Sequence, residues 1–257
     1  VDPTTNAIGK TVAANDRLAL PGARVAGEPL DILLPVFHEQ ENLPHVIEHI
    51  EQHIPCDFRV FVIYDDADDP TVPVAEALSR SRPALYVVHN QMGRGVIGAL
   101  KTGVAMAGLG PVLVMMADLS DDLSIAPRML ELYRAGFDVV CPSRYMPGGS
   151  QRGGPPLKRL LSRFAGWAAY WLRGVPSRDI TNNFRLYSGA MLKTMTIESN
   201  AGFEFALEII AKAHLRGRPI TEIPTRWRGR TAGQSQFRLV RWLPAYLRWY
   251  RVLMLGR

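Results

Sequence analysis

Pro111-Val-Leu-Val-Met-Met116-Ala-Asp118-Leu-Ser120-Asp121-Asp122 is the stretch that decides the fold of this chain. Residues 111–116 are apolar without a break, as in a strand buried on both faces. Carboxylates follow at once. A buried strand that ends in acids is the pattern of a parallel α/β sheet, in which ligands bind beyond the carboxyl ends of the strands.

The neighbouring sequence repeats the pattern in both directions. Order begins near Leu30, and residues 31–37 (D-I-L-L-P-V-F) predict a first strand. Leu43, Val46, Ile47 and Ile50 recur at helical spacing, so 41–54 reads as a helix. Residues 58–64 are β-branched and aromatic and predict a second strand; 73–81 predicts a helix and 84–89 a third strand. Residues 95–107 form a helix of small residues suited to close packing on a sheet, followed by the strand 111–116. Beyond it come a helix over 125–135 and a fifth strand over 138–141. This alternation predicts an α/β domain with a Rossmann-like, mostly parallel sheet flanked by helices. A second acidic cluster, Asp65-Asp66-Ala-Asp68-Asp69, ends the second strand as 118–122 ends the fourth. Two such clusters suit Mg²⁺ or Mn²⁺ holding a diphosphate. The alternative is that they are solvated loop acids capping helices.

The 257 residues are 47% hydrophobic, enough for one large domain with a substantial core. Residues 1–28 mix small, polar and charged types without the apolar stretch of a signal peptide, and read as a disordered N-terminal arm. No apolar run is long enough to span a bilayer. Cys56 and Cys141 sit in apolar surroundings; two cysteines build neither a disulfide framework nor a zinc cluster, and buried thiols in a reducing compartment fit them. The histidines show no ligand spacing; His45 and His49 share a helix face and read as surface residues.

Charge divides the chain. Residues 1–150 hold 11 Lys and Arg against 19 Asp and Glu, a net of −8, whereas residues 151–257 hold 19 against 5, a net of +14. The acidic half fits a cation and the basic half fits phosphates. Pro147-Gly-Gly149 and Gly153-Gly-Pro-Pro156 flank a loop. In the helix predicted over 157–173, Leu157, Leu160, Leu161, Phe164, Trp167, Ala168 and Trp171 share one face, with Lys158, Arg159, Arg163 and Arg173 opposite. A second helix over 237–255 places Leu239, Trp242, Leu243, Tyr246, Trp249, Tyr250 and Leu253 against Arg238, Arg241, Arg248 and Arg251, with a break or kink at Pro244. Both are predicted to lie in the plane of an anionic membrane surface. Their aromatics sit on helical apolar faces rather than on a stacking platform, which argues against nucleic acid as the partner.

The motifs also come in a telling order: Pro35-Val-Phe-His-Glu39, Ile63-Tyr-Asp65, Met92-Gly-Arg-Gly95, Met116-Ala-Asp118, Ser143-Arg-Tyr145, Asp179-Ile-Thr-Asn-Asn-Phe-Arg185, Gly202-Phe-Glu-Phe205 with Glu208, Gly217-Arg-Pro-Ile-Thr-Glu-Ile-Pro224, and Arg230-Thr-Ala-Gly-Gln-Ser235. From about Leu33 to Gln236 this series resembles the family 2 inverting glycosyltransferases, in particular the dolichol-phosphate mannosyltransferase-like branch. The resemblance implies a GT-A domain over 29–236, with 237–257 as a C-terminal membrane-interface helix. By position it assigns Pro35, Phe37, Glu39, Asp65, Asp66, Gly95 and Ala117 to the nucleotide. It assigns Asp118 and Ser120 to a divalent cation, and Arg144, near the phosphates, and Arg230 to catalysis with Asp118. Apart from the resemblance, Asp122 in the same acidic cluster is a further candidate for the cation, and Lys158, Arg159 and Arg163, cations of the helix over 157–173, are candidates to steer a lipid phosphate in catalysis. Four positions depart from the pattern. Met116 stands where the first D-x-D acid belongs, Tyr64 and Asp66 replace an acid and a glycine, and Gln236 replaces a lysine.

The expected function is inverting transfer of a hexose from a GDP- or UDP-sugar to a polyprenyl phosphate or other lipid acceptor, on the cytoplasmic face of a membrane. One alternative has a hydroxyl acceptor, which needs a general base, with Asp121, Asp122 and Asp179 as candidates. Another is a catalytically silent domain that binds nucleotide sugars, given Met116.

Overall fold

The computed structural model describes Arg24, residues 27–229 and residues 239–256, with side chains in the last helix from Trp242 onward. The segment carrying Arg230 and Gln236 lies outside the described residues, as does most of the expected arm. Arg24, within that arm, is anchored: its N–H donates to the Arg134 carbonyl at 3.0 Å, and its guanidinium pairs with Asp138 and lies over the Tyr133 ring.

The alternation holds. Strand β1 (Leu30–Pro35) is followed by α1 (Leu43–His53), β2 (Phe58–Tyr64), α2 (Thr71–Ser79), β3 (Leu85–His89), α3 (Val96–Met106) and β4 (Pro111–Val114). A 3-10 turn (Leu123–Ile125) leads into α4 (Ala126–Arg134) and β5 (Val139–Ser143), and the chain continues through β6 (Ser150–Arg152), α5 (Pro156–Arg173), β7 (Arg185–Ser188), α6 (Gly189–Lys193), α7 (Phe205–Leu215) and β8 (Ile220–Pro224). Seven strands form one sheet in the order β3-β2-β1-β4-β7-β5-β8. Strand β7 (Arg185–Ser188) runs antiparallel between β4 and β5, and β8 (Ile220–Pro224) pairs parallel with β5. Neither β7 nor β8 is among the expected strands. β7 has four residues and opens on a fully buried arginine, so it shows no apolar run. The Arg185 guanidinium donates from Nη1 to the Ala206 carbonyl and from Nη2 to the Asp179 carbonyl, each at 2.9 Å.

Side chains alternate across the sheet, as the period of two requires. Leu33, Val112, Val114, Val139 and Tyr187 face one core, covered by α3, α7 (Phe205–Leu215) and α8 (Leu239–Leu255). Ile32, Leu34, Leu113, Val140 and Leu186 face the other, covered by α1, α2 and α4. Cys141 is buried, and burial pushes its thiol up to about 11, so it stays protonated.

The two tryptophan-bearing helices part company. On α5 (Pro156–Arg173) the large apolar residues are exposed: Phe164 at 64%, Trp167 at 52% and Trp171 at 65%. Its buried face is the small stripe Gly166, Ala168 and Ala169. Gly166 is required there, because a Cβ would come within 2.0 Å of the Arg178 carbonyl oxygen. On α8, Trp242 (9%), Trp249 (3%) and Leu253 (0%) are buried, which corrects the expectation that this face meets a membrane. Trp242 packs edge-on against Phe203, and the Lys212 and Arg248 cations both lie close to the Trp249 ring centroid, at 4.7 and 4.9 Å. α8 runs on through Pro244, so of the expected break or kink the break does not occur. Among the described residues no helix is long and apolar enough to cross a membrane.

Candidate active site

The register of β1 with β2 and β4 brings the ends of these strands together: Pro35 lies opposite Ile63, and Leu33 opposite Val114. The loops after β1, β2 and β4 therefore open on one edge of the sheet. Two of them contain a non-glycine residue in the left-handed region, His38 (φ 55°) and Leu119 (φ 58°). Such strain is uncommon and gathers at functional sites.

The first two loops are tied together. The His38 N–H donates to Asp69 at 3.0 Å and the Glu39 N–H to the Thr71 hydroxyl at 2.8 Å. Burial raises the Asp69 carboxyl, but hydrogen bonds from the Thr71 hydroxyl, the Thr71 N–H at 2.8 Å and the His38 N–H hold it below its ordinary value. Asp65 accepts from the Asn90 amide and from the Gly95 N–H, each at 2.6 Å, and Asp66 pairs with Arg94 at 3.2 Å. Gly95 holds φ 93°, which glycine adopts without strain. Of the residues expected at the nucleotide, Pro35, Phe37, Glu39, Asp65, Asp66 and Gly95 thus form one group. Phe37 is exposed, while Glu39 is buried with its carboxylate accepting from the Asn42 amide at 2.7 Å. Ala117 is a correction: between Met116 and Asp118, which line the cavity described next, its methyl points the other way, into the core under α1 and α4.

Beside this group lies a cavity of about 860 Å³. Its floor is Met116, Asp118, Ser120, Asp121 and Arg144, and Lys158 stands at its side. Its walls are mostly apolar: Leu161, Phe164 and Ala165 from α5, Leu243, Tyr246, Leu247 and Tyr250 from α8, with Phe203 and Leu207 behind. Phe164 and Leu247 are also exposed, so the apolar wall continues onto the outer surface. Arg159 is excluded from the cavity. It follows Lys158 on the same helix, about 100° further round, and is exposed.

Asp118 is buried, with Oδ1 accepting from the Ser120 N–H at 3.1 Å and the Ser120 hydroxyl at 2.5 Å. Asp122, expected beside it as a metal ligand, instead caps the 3-10 turn, accepting from the Ser124 N–H at 3.2 Å and its hydroxyl at 2.5 Å. Asp121 takes the place at the cavity. Burial and the Asp118 charge push its carboxyl from 3.8 up to about 8, against the Met116 N–H and Arg144, which favour its charged form. Two carboxylates and a hydroxyl are hard oxygen donors of the kind Mg²⁺ and Mn²⁺ take. Among the described residues no group of three His, Cys, Asp or Glu side chains surrounds a metal position, so phosphate oxygens or water would have to complete a shell.

Arg144 is forked onto Asp179, Nε to Oδ2 at 2.6 Å and Nη2 to Oδ1 at 2.9 Å, and its backbone N–H donates to the same carboxylate at 3.1 Å. Burial opposes both charges, but their pairing prevails: the guanidinium is raised and the carboxyl lowered from their ordinary values. This corrects two expectations. The Arg144 guanidinium, expected to act in catalysis, is held by a protein carboxylate, and Asp179 is an ion-paired anion rather than a general base. The sequence does contain the signal, since Asp179 opens the motif that ends at Arg185, but nothing in it reveals that position 179 lies against position 144.

Residues 31–198 match the family model described as Glycosyl transferase family 2. The polyprenol monophosphomannose synthase of Mycolicibacterium smegmatis is 27% identical over 237 residues, covering 85% of this chain and 89% of that protein. The undecaprenyl-phosphate mannosyltransferase of Micrococcus luteus is 26% identical over 209 residues, covering 79% and 85%. Among solved structures, glucosyl-3-phosphoglycerate synthase from Mycobacterium tuberculosis, in complex with Mn²⁺, UDP and phosphoglyceric acid, superposes with a TM-score of 0.66 at 16% identity over 90% of this chain and 78% of that one. The same enzyme with Mg²⁺ and UDP gives 0.63 at 17% identity, over 90% and 79%. At these identities the structural likeness establishes the fold, a GT-A domain.

Proposed function

The chain belongs to glycosyl transferase family 2, and from that premise we propose that it transfers a hexose from a nucleotide sugar to a polyprenyl phosphate at a membrane surface. One observation carries this reading: a single cavity joins a floor of Asp118, Asp121, Arg144 and Lys158 to the apolar walls of α5 and α8. An amphiphile with a phosphate head and an isoprenoid tail has that chemistry. The names of the two curated relatives, a polyprenol monophosphomannose synthase and an undecaprenyl-phosphate mannosyltransferase, agree with such an acceptor.

The parts then take the following roles. The loops after β1 and β2 hold the nucleoside, and Asp118 with Ser120 would hold a divalent cation at the donor's diphosphate. A cation held there would neutralise charge on the departing nucleotide. Lys158 meets the lipid phosphate, which is already anionic and needs guidance rather than a base. Arg144, fixed by Asp179, adds a positioned positive edge to the floor. The exposed Leu160, Phe164, Trp167 and Trp171, flanked by Arg159, Arg163 and Arg173, rest α5 on the cytoplasmic membrane surface. Each cation near such a surface contributes about 1 kcal/mol.

A hydroxyl acceptor is the second reading, favoured by the raised carboxyl of Asp121, the one base candidate of the three that lines the cavity. Donor turnover with and without a short polyprenyl phosphate separates the two. On the present account the lipid phosphate accelerates turnover, and Asp118→Ala or a chelator abolishes it. Turnover indifferent to lipid phosphate but dependent on an alcohol assigns the site to hydroxyl acceptors. Full activity of Asp118→Ala removes Asp118 from the site.

A further inference from the structure

Met116 occupies the place of the first D-x-D acid, and its thioether is a poor ligand for a hard cation. Yet the loop that follows returns a carboxylate to the same spot. Leu119, at φ 58°, lies in the left-handed region, and Ser120 folds back on Asp118 through its N–H and hydroxyl. Asp121 then reaches back along the chain, so that its Oδ2 accepts from the Met116 N–H at 3.2 Å. A carboxylate five residues downstream therefore sits against the backbone of the residue whose own acid is missing. Met116, Asp118, Ser120 and Asp121 all line the same cavity floor. Asp122, adjacent in sequence, is committed to capping the next turn.

We propose that Asp121 is the second anionic ligand of the donor's divalent cation, replacing the acid lost at position 116, so that this chain uses an Asp118/Asp121 pair in place of D-x-D. The inference rests on the reading of Asp118 as a metal ligand and names the partner that this reading lacks. It fits the coordination habit of Mg²⁺, and by extension Mn²⁺: one or two carboxylates from the protein, the remainder from phosphates and water. It also gives Asp121 a task that leaves no general base in the cavity, which agrees with an acceptor that is already ionised.

The test measures metal affinity rather than turnover. Free Mn²⁺ is titrated by electron paramagnetic resonance into the full chain with GDP and, separately, with UDP, without acceptor. The proteins compared are wild type, Asp118→Asn, Asp121→Asn, Asp122→Asn and the double variant Met116→Asp/Asp121→Asn, each checked for folding by thermal melt. Loss of a mere supporting group costs a metal site about tenfold to a hundredfold, so Asp118→Asn and Asp121→Asn should each weaken Mn²⁺ by at least about tenfold. Asp122→Asn should change little, and the double variant should recover most of the loss. If Asp118→Asn weakens Mn²⁺ but Asp121→Asn does not, the inference falls while the metal reading stands. If Asp121→Asn weakens binding and Met116→Asp fails to restore it, Asp121 does not stand in for position 116, and the inference also falls. If Asp118→Asn leaves Mn²⁺ affinity unchanged, the metal reading itself fails.

Discussion

At Arg144 a guanidinium is forked onto Asp179, a carboxylate with no solvent exposure. Removing one partner of a buried pair strands the other and costs about 3–5 kcal/mol. Arg144→Ala should therefore melt well below wild type, because Asp179 is left charged in the interior; Arg144→Lys keeps the charge but loses the fork and should fall between. Thermal melts decide this: an Arg144→Ala protein that melts like wild type would show that the pair contributes nothing to the fold. Asp121 makes the opposite kind of prediction. Its folded carboxyl is raised from 3.8 to about 8, so within that window the folded protein keeps a proton that the unfolded chain releases. Stability of the metal-free protein should then fall as pH rises through the window. In EDTA, the melting temperature of Asp121→Asn should gain on that of wild type between pH 5 and pH 8. A constant difference would place Asp121 in an ordinary solvated setting.

At the scale of elements, α5 and α8 show what sequence reveals and what it leaves open. Both carry tryptophans and arginines at helical spacing, and the spacing alone divides each into two faces. It does not say which face meets the core. On α5 the small residues Gly166, Ala168 and Ala169 let the helix lie close to the 177–179 segment, and the large aromatics are turned outward. α8 puts its large residues Trp242, Trp249 and Leu253 inward. Changing Phe164, Trp167 and Trp171 together to Ser should therefore reduce flotation with anionic liposomes while leaving the melt near that of wild type. Trp249→Ala should instead cost about 3–5 kcal/mol of stability. Binding retained by the triple α5 variant, or lost only when α8 is changed, would reverse the assignment. The strands divide in the same way. β1 to β5 were legible because short runs rich in apolar and β-branched residues alternate with segments of helical spacing, and in β4 the run is unbroken and buried on both faces. β7 was not, because its place between β4 and β5 depends on long-range pairing and on Arg185 finding distant carbonyl partners.

Across the whole molecule, the parts of the site that were readable are those set by strand ends: Asp118, Ser120, and the Pro35 and Asp65 loops all lie on the edge that a parallel sheet reserves for ligands. What could not be read is the contact between distant segments. The cavity exists because α5 and α8, more than sixty residues apart, close over the end of β4. The split of charge between the halves has the same geometry: acids gather at the strand ends and cations line α5, the helix proposed to meet the lipid. The central claim is that this one cavity joins a nucleotide sugar to a lipid phosphate. Its most direct test is mass spectrometry of the purified chain incubated with a divalent cation, a panel of GDP- and UDP-linked hexoses and a short polyprenyl phosphate. The account predicts one new lipid species heavier than the acceptor by a single hexose residue, formed with wild type and absent with Asp118→Ala. A hexosylated alcohol in place of the phosphate product, or no lipid product from any donor under conditions where nucleotide binding is demonstrable, would contradict it.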